Sequence, residues 1–162
     1  MEYPNRIGSF QMINSTKYFS WGDIRGQNKN GSGSYQFTDA NYEAGVCGAG
    51  YLLDSAIPQG NVAVDAARAN MGSPWKMPNN DQLNELRTKT NNTWTTLNGV
   101  NGYKFTSNRD STKYIFLPAT GAYGHYWSTQ MSSSKGWCLF FESYRIMSST
   151  FAKYLGNSVR AI

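Results

Sequence analysis

The sequence lacks most of the features that assign a chain quickly. No apolar run reaches the roughly 18 residues that a membrane span needs, so membrane insertion is not expected. The segment Met1-Glu2-Tyr3-Pro4-Asn5 has no basic stretch leading into an apolar one, and no signal peptide is expected. There is one histidine, and the two cysteines, Cys47 and Cys138, form no Cys-x-x-Cys pair, so a structural zinc site is not expected. Two cysteines make no disulfide framework; a single bridge and two free thiols both remain open. Also missing are a Gly-x-Ser-x-Gly elbow, a Gly-x-x-x-x-Gly-Lys loop, a dinucleotide fingerprint and an Asp-x-Asp-x-Asp-Gly calcium loop. Aliphatic bulk is scarce too. Leu, Ile, Val and Phe number 28 of 162 residues, about 17% and under the rough 20% level that warns of disorder.

Disorder is nevertheless excluded by what is present. The chain has 24 aromatic residues and a net charge of only +5, so rings replace aliphatic side chains as core material. Ser, Thr, Asn and Gly total 61, a mixture that favours turns and short strands over a helical bundle. Lys and Arg are scattered, with Arg87-Thr88-Lys89 the densest stretch, so a nucleic-acid partner is not expected. The length suits one domain over residues 1–162, alone or as the C-terminal module of a longer chain.

Along the chain, residues 1–60 read as short strands and loops, with an aromatic segment at Lys17–Asp23 and a polar loop at Gly26–Ser34. A small-residue helix is predicted over Asn61–Asn70, stopped by Gly72. A second helix begins near Asn79, where Asn79 and Gln82 form a capping-box pair and Leu83 and Leu86 an apolar stripe. From Thr93 the period falls to about two. Strands are predicted at Trp94–Leu97, Gly102–Thr106, Tyr114–Leu117, Tyr126–Ser128, Gly136–Phe141 and Asn157–Arg160, with turn signals at Asn98-Gly99 and Asn101-Gly102. The layout is α+β: two helices set apart from short antiparallel strands and long loops.

Reactive groups are few. His125 is read as a surface or contact residue in a turn beside aromatics. The tail from Met131 to Tyr154 interleaves apolar residues with unrelated types. If Leu139 and Phe141 face the core, Cys138, Phe140 and Glu142 face the other way. An outward Phe140 beside Tyr144 and Phe151 would then form an apolar patch of the kind binding surfaces use.

Several segments resemble a known family. Asp65–Pro78, with its Ala-Ala-Arg-Ala-Asn-Met-Gly helix end and Trp75-Lys76-Met77-Pro78 turn, resembles the FISUMP domains, a C-type-lectin-like group of Bacteroidetes and their phages. Tyr18–Gly22, Asn79–Leu86, Gly99–Lys104, Ile115–Ala119, Tyr126–Ser128 and the closing Gly156-Asn157-Ser158-Val159-Arg160 are similar to further family segments in the same order. Ala161 and Ile162 stand where Pro and Val are usual.

The resemblance implies a C-type-lectin-like fold and a non-enzymatic ligand-binding role, as in variable proteins of diversity-generating retroelements. In those proteins changeable residues sit in a fixed C-terminal framework. By that likeness the contact residues are His125, Cys138, Phe140, Glu142, Tyr144, Arg145, Met147, Ser149, Thr150, Phe151, Tyr154 and Leu155. Glu142 and Met147 depart from the pattern, because adenine-directed mutagenesis before a fixed third-position pyrimidine encodes neither. The implied partner is a protein or glycan receptor on a host cell, met from a phage tail or a bacterial surface, with self-association giving avidity. The calcium motifs of carbohydrate-binding C-type lectins do not occur, so no metal, cofactor or calcium-dependent sugar binding is expected. Cys47 and Cys138 match no motif of the related formylglycine-generating enzymes. An enzyme on such a scaffold, or a structural virion or surface domain, are the alternative readings.

Overall fold

The computed structural model describes residues 17–28, 37–46 and 48–162. In chain order the elements are β1 (Lys17–Tyr18), β2 (Gln27–Asn28), α1 (Asp39–Glu43), a 3₁₀ turn at Gly50–Leu52, α2 (Ala66–Met71), α3 (Asn80–Thr88), β3 (Thr90–Leu97), β4 (Val100–Ser107), β5 (Tyr114–Pro118), β6 (Tyr123–Ser132), β7 (Lys135–Glu142) and β8 (Arg145–Ala152). All strand pairs are antiparallel, in a β1-β2 ribbon and two three-stranded sheets ordered β3-β4-β5 and β6-β7-β8. The molecule is therefore α+β, with short helices set apart from the sheets.

The β6-β7-β8 sheet is the central layer, covered along one face and, at its Trp127–Cys138 end, on the other as well. Tyr126, Leu139 and Phe141 point to one side and pack with Leu83 and Leu86 of α3 and Tyr103, Phe105 and Leu117 of the β3-β4-β5 sheet. Trp127 and Cys138 point to the other and pack with Phe19, Trp21, Ile57, Val64, Met77 and the start of α2. Two indoles pin this second layer, where Trp21 Nε1 donates to the Ser128 carbonyl at 3.0 Å and Trp127 Nε1 to that of Phe19 at 2.6 Å. Each buried ring nitrogen thus has a partner, so the aromatic core carries no unmet donor there. Trp21 and Trp127 are fully buried, whereas Trp75 and Trp137 are half-buried.

Local chemistry explains where the elements differ from expectation. The helix predicted over Asn61–Asn70 begins only at Ala66. The Asn61 side chain accepts from Ala63 N at 3.0 Å, forming a turn, and Asp65 is the N-cap, accepting from Arg68 N. The second helix is capped by the Asn79–Gln82 box, both reciprocal bonds being 2.9 Å. Asn98 and Gly99 turn the β3-β4 hairpin with φ of 51° and 79°. Asn101-Gly102 is no turn; it lies within β4, where the Leu117 carbonyl comes too close to Gly102 for a Cβ. Asn157–Arg160 forms only bridges, Asn157 to Phe19 and Ser158 to Tyr126. Helix α1 and strand β8 were not expected from the sequence.

Candidate functional site

The three-stranded register sorts the tail residues by face. His125, Phe140 and Met147 are aligned across β6, β7 and β8, as are Tyr123, Glu142 and Arg145, and Trp127, Cys138 and Ser149; Phe151 lies opposite Gly136. Alternation places all of these on one face and Leu139, Phe141, Ile146 and Thr150 on the other. At the Trp127–Cys138 end, the first face is covered by the aromatic core. At the other end it carries a ring cluster. The Tyr123 and Phe140 rings stack at 6.0 Å, His125 lies 5.0 Å from Phe140, and His125 meets Phe151 edge-on at 4.8 Å. The Arg145 guanidinium lies 5.5 Å from the Phe140 ring and 5.7 Å from that of Tyr144, linking the cluster to the β7-β8 turn.

Of the residues named from sequence, His125, Phe140, Arg145, Met147 and Phe151 are brought together here, with Ser149 beside the covered end. Tyr144 is 76% exposed at the turn. His125 is within β6 rather than in a turn, next to Gly124, whose missing Cβ makes room for the Phe141 ring. Burial lowers its pKa below the usual histidine value, which favours a neutral ring among aromatics.

Three placements correct expectations. Cys138 does point away from Leu139 and Phe141, but its face is covered there, and at 2% exposure it is a core thiol that no ligand can touch. Thr150 lies on the opposite face, level with Trp137. Glu142 is only 7% exposed and forms an ion pair with Arg145. A hydrogen bond to Glu142 raises the Tyr144 phenol above its ordinary pKa. Tyr154 and Leu155 follow β8 and are half-buried, Tyr154 packing with Phe37 and Tyr42. Cys47 lies outside the described residues.

Burial pushes the Cys138 thiol up to about 12. At about pH 8 it is then almost wholly protonated and inert. In a Cys47→Ser variant, iodoacetamide is expected to label the folded protein at least about a hundredfold more slowly than the urea-unfolded chain. Mass spectrometry over time measures this, and equal rates would show that the thiol is open to solvent.

Sequence reasoning missed Tyr123, which is 48% exposed and stacked on Phe140. The available signal was its spacing of two from His125, which on a strand means the same face. Beyond Tyr123 the face runs into a cavity of about 260 Å³ lined by Tyr18, Thr120, Tyr123, His125, Gly156, Asn157 and Ser158. Among the described residues, no three His, Cys, Asp or Glu side chains are grouped to hold a metal ion, and no helix is long and apolar enough to cross a membrane. Comparison with family models, with curated proteins and with solved structures gives no match to this chain.

Proposed function

We propose that this protein is a non-enzymatic ligand-binding domain with a C-type-lectin-like fold of the FISUMP type, and that the open end of the β6-β7-β8 face is its contact surface. One observation carries the reading. Residues scattered from 123 to 151 converge as an aromatic cluster, Tyr123, His125, Phe140 and Phe151, bordered by the cation of Arg145 and the exposed ring of Tyr144. Rigid rings with an arginine at their edge are the side chains that dominate binding energy at protein surfaces, since they lose little entropy on contact. The cluster stands on a sheet whose core is fixed from both sides, which keeps the ordering cost of binding low. The receptor would be a protein or glycan on a host cell, met from a phage tail or a bacterial surface.

Phe140 and Phe151 also pack against the core, so the clean test uses the two exposed rings. A Tyr123→Ala/Tyr144→Ala double variant should keep its melting temperature within about 4 °C of the parent. Its binding to intact Bacteroidetes cells that retain the parent protein should fall at least about tenfold, as for loss of an interface anchor. Flow cytometry with labelled protein reads the second quantity. Unchanged cell binding by a folded double variant would sink this reading.

A further inference from the structure

Strand β8 leaves one of its edges open. The Ser143-Tyr144 turn closes on the Glu142–Arg145 pair, and the register runs unbroken from there to Lys135 and Ala152. In such a hairpin Arg145, Met147, Ser149 and Phe151 exchange bonds with β7, while Ile146, Ser148 and Thr150 turn their N–H and C=O groups outward. Among the described residues, no group outside the hairpin bonds to these three. The other sheet edges are occupied or guarded. Ser158 bridges β6, donating to His125 O at 2.9 Å and accepting from Trp127 N at 3.0 Å. Strand β5 is short and ends at Pro118. Strand β3 is tied at its start to α3, by Thr90 Oγ1 to Leu86 O at 2.7 Å and Asn92 Nδ2 to Arg87 O at 2.6 Å. Natural edge strands are kept from pairing by a charge, a proline or a bulge, and β8 has none of these from Ile146 to Ala152. Lys153 follows at once, but its ammonium turns away to the Leu53 carbonyl at 3.3 Å and over the Trp21 ring at 4.5 Å. Met147 and Ser148, in the middle of the strand, are exposed.

The residues of this edge fit a second copy of the same edge. A flexible peptide would have to be ordered on arrival, at roughly 1–2 kcal/mol per residue, whereas a second β8 is already held extended by its own β7. Antiparallel pairing about a two-fold axis at Ser148 sets that residue opposite the second copy's Ser148, and Ile146 opposite its Thr150. Every outward N–H and C=O of the three residues then gains a partner. On the other face Met147 meets the second copy's Ser149, and Arg145 meets its Phe151, a cation–π contact of the kind that Arg145 already makes with Phe140. Charge and the turn fix this register. A slip of two residues one way sets Arg145 against the second copy's Lys153, and like charges directly opposite are destabilising. The same slip the other way carries Thr150 past the strand, level with Tyr144 of the turn. We infer that two copies of this chain pair edge to edge through β8, antiparallel about Ser148, to make one continuous sheet. Opposed residues share a face, so the two aromatic clusters at His125 and Phe140 come to lie on the same side of that sheet. The pairing stands apart from the proposed contact face, but its use, two faces gaining avidity on a surface of repeated receptors, rests on that reading.

Sedimentation equilibrium of the whole chain between about 5 and 500 µM should show a reversible monomer–dimer equilibrium, as for a small and transient interface. Ser148→Pro removes an N–H that β7 does not use, so the variant should fold, as circular dichroism melting checks. It deletes both bonds at the two-fold axis and should weaken association at least about tenfold. Ser148→Lys and Ser148→Glu leave the backbone intact and each set like charges face to face across the axis, so either alone should weaken pairing to a similar degree. An equimolar mixture of these two variants should pair again, because a lysine then faces a glutamate. That rescue reads the register itself, and it decides the matter if the proline variant fails to fold. A parent chain that stays monomeric throughout the range overturns the inference. So does a dimer indifferent to all three folded variants, or a lysine–glutamate mixture no more associated than its components. Cell binding by flow cytometry separates the two readings. Unchanged cell binding by the monomeric Ser148→Lys variant leaves the pairing standing and removes its avidity. A Tyr123→Ala/Tyr144→Ala variant that dimerises yet still binds cells removes the contact face and leaves the pairing.

Discussion

Replacing Asp65 with Ala is expected to destabilise the protein by about 3–5 kcal/mol, a large part of an ordinary domain's stability. The residue is fully buried, and its carboxylate is the junction of three chain segments. It accepts from Gly60 N at 2.7 Å, from Arg68 N at 3.0 Å, and from Met77 N at 3.1 Å to each oxygen. The bond to Arg68 is the N-cap of α2, usually worth about 1 kcal/mol. The Met77 amide is buried, so alanine would leave it without partner or water and add a desolvation cost of about 1–3 kcal/mol. Urea unfolding measures the loss directly, and the melting temperature should fall by roughly 10 °C or more for a chain of this size. Asp65→Asn should fall between, because its amide oxygen can still cap α2 while its nitrogen meets another donor. A loss under about 1 kcal/mol for Asp65→Ala would mean that water replaces the carboxylate, and the junction would have to be assigned to packing instead.

The same junction explains a stretch that reads in sequence only as a pattern. Arg68 Nε donates to the Trp75 carbonyl at 2.9 Å while Asp65 holds Met77, so the helix and the Trp75–Pro78 turn are tied at two points. Asp65 therefore caps a helix whose first residue, Ala66, lies five residues after the start that the sequence pattern suggests. The Asn79 box is legible in sequence because both its partners lie within one helical turn. Asp65 is not, because Gly60 and Met77 reach it through loops. Strand β8 was missed for a related reason. Ser148, Ser149 and Thr150 carry no apolar alternation, and their order comes from the β7 backbone that pairs with them from Lys135 to Glu142.

Alternation along β7 told which side chains share a face, and the register bears that out for Cys138, Phe140 and Glu142. It could not tell whether that face is covered. Coverage depends on Phe19 and Trp21, more than a hundred residues away in sequence, which lie over Cys138 and stop short of Tyr123. A single strand face is thus core at one end and surface at the other. Period-two reasoning has no term for such a change along the strand, which is why Cys138 was expected to be outward and Tyr123 was overlooked.

That division predicts a sharp contrast between adjacent phenylalanines. Phe141→Ala should cost about 3–5 kcal/mol, because its ring is fully buried and meets Tyr103 at 5.3 Å, Tyr126 at 5.9 Å and Trp94 at 6.3 Å. Phe140→Ala should cost only about 1–2 kcal/mol, since its ring is half-buried and half of its transfer energy was never gained. Binding should invert the order. Measured at a temperature where both variants are folded, Phe141→Ala should bind cells like the parent, because its contacts lie on the far side of the sheet. Phe140→Ala should lose more than tenfold, because it removes the ring that braces Tyr123 and holds Arg145. Equal destabilisation with equal binding would make both faces core and leave Tyr123 and Tyr144 as isolated surface rings. The predicted inversion, by contrast, cannot come from stability alone, since the less stable variant is the one that binds.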